Sequence, residues 1–172
     1  MPDLTIRIKK KTDGTAALTC ARADGTVTWQ RQEKQLGAFF PLHDLTHYAV
    51  ESVLGFDRAF FGLIAEGWEI SEFSSTGVKD RLPIDALLSE LIVGFLDLEH
   101  RTAHPMTADE CNAKINEFVA AEQHGLPGFP LDEVKLAAIR GRRDELFAQW
   151  RALQPGEALE VPFTRRSVSS AA

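Results

Sequence analysis

The chain has 172 residues, of which 44% are hydrophobic and 26% charged, with a net charge of −6 and a pI near 5.4. That length suits one domain with a core of its own, and the composition is that of a globular protein. The acidic balance excludes a nucleic-acid partner that depends on phosphate neutralisation; Arg140, Arg142, Arg143 and Arg151 cluster, but Asp144 and Glu145 sit among them, as on a solvated helix face.

The first third reads as a β-meander. In "LTIRIKKK" Leu4, Ile6 and Ile8 alternate with polar partners, as a strand with one buried face requires. "TDGT" at 12–15 and "ADGT" at 23–26 each carry Asp-Gly, the pair that accepts positive φ in tight hairpins. "TAALTCAR" and "TVTWQRQ" supply the second and third strands, the latter with Val27 and Trp29 on one side. "MPDLTIRIKK" puts charges where a signal peptide needs an apolar stretch, so no export signal is expected.

From residue 41 the period turns helical. A first helix over 42–54 should stop at Gly55, and Asp57 is placed to cap a second that runs to Glu66 and ends at Gly67. "EISEFSSTGVKDRLP", 69–83, reads as a polar loop closed by Pro83. The stretch Ile84–Leu98 repeats apolar residues at 3–4 spacing, interrupted by Asp85, Ser89, Glu90 and Asp97, which makes it a core helix and not a membrane span. "TADE" at 107–110 is a capping box for a fourth helix, with Cys111, Ile115, Phe118 and Val119 on one face and Gly125 at its end. After the stiff connector "GLPGFP", Asp132 caps a last helix over 133–153 that should bury Leu136, Ile139, Leu146, Phe147, Trp150 and Leu153. "EALEVPF" alternates like a strand able to join the N-terminal sheet, and "TRRSVSSAA" reads as a frayed tail over 164–172. The expected architecture is a single α+β domain over 1–163, an antiparallel meander of about three strands plus the C-terminal one, packed with about five helices. Cys20 and Cys111 form no CxxC pair, which fits two buried thiols in a reducing cytoplasm.

The chemistry concentrates in "FFPLHDLTHYAVE", residues 39–51. His43 and His47 would lie one turn apart on a helix, ~6 Å between Cβ atoms, within reach of a single metal ion. Asp44 takes the slot that glutamate fills in HExxH, where a carboxylate activates metal-bound water. A third ligand must come from elsewhere, and Glu66 follows His47 with 18 residues between. Two helix starts compete: Pro41 in the first turn would place both histidines on the helix, whereas Asp44 as N-cap would leave His43 outside it. Glu51, four residues after His47, either orients that imidazole or is an exposed helix carboxylate.

"HDLTH", 18 residues and then "EGW" resembles the HExxH-x18-E pattern of gluzincin aminopeptidases. That resemblance implies zinc on His43, His47 and Glu66, with Asp44 where the general base stands. The chain departs from the pattern: Asp44 is one methylene shorter than glutamate, the Met-Glu-Asn amine-binding stretch is absent, and the only tyrosine, Tyr48, adjoins a ligand position. The motif is also similar to that of a coenzyme-Q biosynthesis family with HDxxH and a glutamate twelve positions after the second histidine, where this chain has Ala59. The whole segment "FFPLHDLTHYAVESVLGF" resembles one found in small uncharacterised bacterial proteins, which implies no activity.

A second histidine pair, His100 and His104, is spaced alike, but Pro105 keeps His104 out of a regular helix and His100 suits a helix C-terminus. Folding could still bring His100, His104, Asp97 or Glu99 to the metal in place of Glu66. No GxSxG, GxxxxGK[ST] or strand-borne GxGxxG occurs, so neither a serine hydrolase nor a nucleotide cofactor is expected. Phe39, Phe40, Phe56, Phe60, Phe61 and Trp68 surround the histidine segment, as an aromatic pocket would or, more simply, as packing between the first two helices requires. The leading expectation is one divalent metal ion, zinc favoured, used in hydrolysis of a small molecule or peptide with Asp44 as base. The alternative is a non-catalytic binding or accessory protein in which His43, Asp44 and His47 form a structural helix-start network. Neither a nucleic-acid nor a membrane partner is expected.

Overall fold

A computed structural model describes residues 1–33, 38–121 and 130–166. Strands β1 (Leu4–Lys10), β2 (Ala16–Arg22) and β3 (Val27–Gln32) form the meander, and a last strand, β4 (Ala158–Phe163), pairs antiparallel with β1 in the order β3-β2-β1-β4. Both Asp-Gly turns work as their sequence requires. Gly14 and Gly25 take φ of 81° and 88°, while Asp13 and Asp24 each accept from the backbone N–H and hydroxyl of the threonine two residues on. Register sets Leu4 opposite Phe163, Ile6 opposite Val161 and Ile8 opposite Leu159. Those six, with Leu18 and Cys20, are buried on one face. Val27 and Trp29 point the other way and are exposed, so the inward positions of β3 are the buried polar Thr28 and Gln32. β3 thus brings hydrogen-bonding groups, not apolar bulk, to the interior.

Five α-helices pack with the sheet into one α+β fold: α1 (Phe40–Leu54), α2 (Phe60–Ala65), α3 (Ile84–Thr102), α4 (Ala108–Ala121) and α5 (Glu133–Ala152), of which α2 and α5 contact the strands and α4 packs on α3. α1 packs against both α3 and α5, and Tyr48 on it donates to the Pro162 carbonyl at 2.7 Å, tying helix to sheet. The stretch expected as a polar loop contains two 3-10 turns, Ile70–Ser74 and Val78–Arg81. Thr107 and Glu110 close their capping box, and Asp132 caps α5 by accepting from Lys135 N–H at 2.7 Å. The stop at Gly125 and the connector through residue 129 lie outside the described residues.

Between α1 and α2 the chain solves its capping differently from expectation. α1 ends at Gly55 in the left-handed conformation, φ 72°. Asp57 does not cap α2; its carboxylate accepts from Arg166 N–H at 2.7 Å. The first turn of α2 is served instead by Glu51, buried in α1, which accepts from Phe61 N–H at 2.9 Å. Gly62 is required there, because a Cβ would lie 2.0 Å from the Asp57 carbonyl oxygen. Arg165 and Arg166, in the stretch read as tail, bond Asp3 and Asp57; residues 167–172 lie outside the described residues. Both cysteines are free and buried, and no described helix is long and apolar enough to cross a membrane.

Candidate metal centre

Pro41 decides where α1 begins. The helix starts at Phe40 with Pro41 in its first turn, where a missing N–H costs nothing. Phe39 stands at the N-cap and offers no side-chain cap, so the first helical bond is His43 N–H to the Phe39 carbonyl at 3.0 Å. Asp44 therefore lies inside the helix, free of any capping duty, and His43 and His47 share a face one turn apart. Their rings meet edge to face with centroids 4.8 Å apart.

The third member of the group is Glu90 of α3. One ligand atom each from His43, His47 and Glu90 lie within 4.8 Å of one another, and His47 Nε2 is 3.1 Å from Glu90 Oε2. A tetrahedral ion with bonds of ~2.1 Å spaces its ligand atoms about 3.4 Å apart, so small side-chain rotations would close the group around it. The rear nitrogen of each histidine faces a carboxylate. His43 Nδ1 is 2.7 Å from Asp97 Oδ2, a hydrogen bond, and His47 Nδ1 is 3.4 Å from Glu51 Oε1. The second contact is an ion-pair distance without hydrogen-bond alignment, and both of its atoms are buried with no hydrogen-bond partner. His47 Nε2 is directed at Glu90, and the carboxylate behind each histidine would fix its tautomer and raise its basicity toward an ion.

Burial and charge pull against each other here. Burial pushes the Asp44 carboxyl up to about 6, although Gln32 Nε2 donates to it and the two histidines favour its ionised form. Burial alone would lower His47, but Glu51 and Glu90 outweigh it and raise that imidazolium to about 10. Glu51 is pushed up by burial, whereas Glu90 is drawn down by His47. The arrangement sets His47 between two carboxylates that favour its protonated form, a position for which a divalent ion would compete.

The structure brings His43 and His47 together with Glu90 and not with Glu66. α2 is only six residues long, and Phe60 at its start, not Glu66 beyond its end, packs on His47 with ring centroids 5.4 Å apart. Glu66 pairs with Arg58 at 3.1 Å and Arg165 at 3.5 Å. Among the alternatives, Asp97 does reach the site, but as the partner of His43 Nδ1. Glu99 is held by Arg140 and Arg143, His100 packs on the Phe147 ring, and His104 is exposed past the end of α3. Glu90 was visible in sequence only as an interruption of an apolar helix. The signal that could have found it is its spacing from Asp97, seven residues or two turns, which sets both on one face of α3. Glu51 is not the exposed carboxylate of the blander expectation; it is 1% exposed.

These groups open on a cavity of about 380 Å³. His43, Asp44, His47 and Glu90 line one part of it, and Phe40, Phe60, Phe73 and Leu87 supply apolar wall. The phenylalanines thus do both jobs weighed from sequence: Phe60 packs on Phe61 and Phe73 and also faces the cavity. Comparison of the chain with protein-family models, with curated proteins and with solved structures gives no match in any of the three.

Proposed function

We propose that the protein binds one divalent metal ion, zinc favoured, through His43, His47 and Glu90. The observation that carries this reading is the pairing of each histidine's Nδ1 with a carboxylate while a third carboxylate stands at the Nε2 side. Two imidazoles and one carboxylate match the donor set of catalytic zinc, which keeps a fourth position open. We extend the reading to metal-assisted hydrolysis of a small molecule or peptide. The ion would polarise water or the scissile carbonyl, and Asp44, which lines the same cavity, would take up the proton. Two buried free thiols fit a cytoplasmic setting for this chemistry.

One observation favours the non-catalytic alternative: the same side chains tie elements together without any ion. His43–Asp97 and His47–Glu90 join α1 to α3, and Asp44–Gln32 joins α1 to β3. Elemental mass spectrometry on tag-free protein, beside a His43→Ala/His47→Ala variant, separates the two. About one equivalent of metal in the wild type and none in the variant is the expected result. No metal in either, and no uptake of added zinc or iron, would leave the tie network as the role of these residues.

A further inference from the structure

A second cavity, of about 430 Å³, adjoins the first. The two share Lys79, Leu82, Leu87 and Glu90 as lining, so Glu90 stands between the histidine group and this second space. The rest of its lining is Leu91, Gly94 and Phe95 of α3 and Phe118 of α4, with Asp80 as the one polar side chain among them. Gly94 sits mid-helix, where glycine is unfavourable, yet nothing packs against it: an added Cβ would meet no atom within 4 Å. Its missing side chain leaves the groove open, not a close backbone contact satisfied. Leu87, Leu91, Gly94 and Phe95 recur at helical spacing along one face, and the nine residues from Leu87 to Phe95 cover ~12 Å of helix. Each cavity falls within the ~300–1,000 Å³ of small-molecule sites.

We infer that the two cavities form one site for an amphipathic acyl compound. Its oxygen-bearing head lies at the metal held by His43, His47 and Glu90, and its linear alkyl chain runs along α3 past Leu87 and Leu91 to Phe95 and Phe118. A peptide would bring amide groups to the stretch lined by Leu91, Phe95 and Phe118, whose side chains offer them no partner, whereas an alkyl chain asks for none. The inference rests on the metal reading and adds the substrate class to it.

The test is calorimetric titration of zinc-loaded protein with acetohydroxamate, butanohydroxamate and octanohydroxamate, whose common head ligates zinc and whose tails differ only in methylenes. Affinity is expected to rise about fourfold per buried methylene, and at least about 100-fold from the shortest to the longest. Gly94→Leu, which fills the groove one helical turn past Glu90, should keep its zinc and its acetohydroxamate affinity and lose the chain-length dependence. Phe118→Gln, on α4 in the same cavity lining, should weaken only the long chains, and gives an independent reading should Gly94→Leu fold poorly. Zinc bound with affinities independent of chain length, or a chain-length dependence untouched by both variants, would overturn the acyl inference alone. A wild type that takes up no zinc would bring down the metal reading and this inference with it.

Discussion

Helix α3 serves two clusters of charge that look alike in composition and differ in construction. On one face, Glu99 is buried and held by Arg140 at 2.7 Å and by Arg143 at 3.5 Å; Arg140 also donates to the Met106 carbonyl at 2.6 Å. On another, Glu90 and Asp97 meet His47 and His43. The first cluster is built from guanidinium groups that keep their charge at every physiological pH. The second uses imidazoles that can give theirs up, and it leaves buried His47 Nδ1 and Glu51 Oε1 without hydrogen bonds. A cluster with permanent cations and matched partners fastens α3 to α5 and has nothing left to exchange. A cluster with a removable cation and idle buried atoms can trade a proton for a metal ion.

The largest effect should come from breaking the first cluster. Glu99→Ala leaves two arginines facing a buried gap and should cost about 3–5 kcal/mol of folding stability. Urea unfolding measures it, and zinc content per folded molecule should not change. A loss under ~1 kcal/mol would mean the arginines find water or other partners and that the two clusters are less different than they look. Glu90→Ala is the converse experiment. Its side chain is 66% exposed but pairs with buried His47, so stability should fall by about 1–2 kcal/mol, less than for Glu99→Ala, while stoichiometric zinc binding is lost.

A smaller effect sharpens the claim that the carboxylates behind the histidines matter. Asp97→Asn keeps the shape but removes the charge that His43 Nδ1 faces, and zinc affinity should fall about 10–100-fold with the fold intact. Competition against a chromophoric chelator reads the constant. An unchanged affinity would make Asp97 a structural tie to α3 and nothing more.

How far the sequence revealed this arrangement follows from the range of each interaction. Strand alternation, the Asp-Gly turns, the Thr107–Glu110 box and the Asp132 cap are contests among neighbours, and their outcome is written within a few residues. The joining of β4 to the sheet was legible too, because Leu159, Val161 and Phe163 need a buried face; that it takes the β1 edge was not, since a meander offers two edges. The start of α1 was ambiguous in sequence because Pro41 and Asp44 are both good start signals. Asp44 found a partner in Gln32, twelve residues upstream on β3, and so was not needed as a cap. The third carboxylate was out of reach for the same physical reason. Spacing along the chain pointed to Glu66, but which carboxylate meets His47 depends on how α3 lies against α1, and a helix-packing geometry is not encoded in any short motif.

A pH-dependent effect tests the exchangeable cation itself, in protein stripped with chelator. There Glu51 and Glu90 hold the His47 proton up to about 10, above the ~6.5 of an imidazole in the unfolded chain. The sign follows from linkage: the folded form binds this proton more tightly, so its contribution to stability is fully present below ~6.5 and is lost as pH rises through the folded value. Stripped wild type should therefore lose stability between pH 7 and 10 relative to His47→Gln, which has no such proton to shed. The arginine cluster adds no slope in that window, because neither guanidinium titrates there. Zinc should reverse the trend, since the ion must displace the same proton and binds better as pH rises. Urea midpoints taken across that range, with and without zinc, read both slopes. Parallel profiles for wild type and His47→Gln would mean that His47 shares no proton with its two carboxylates, and the cation position between them would lose its strongest support.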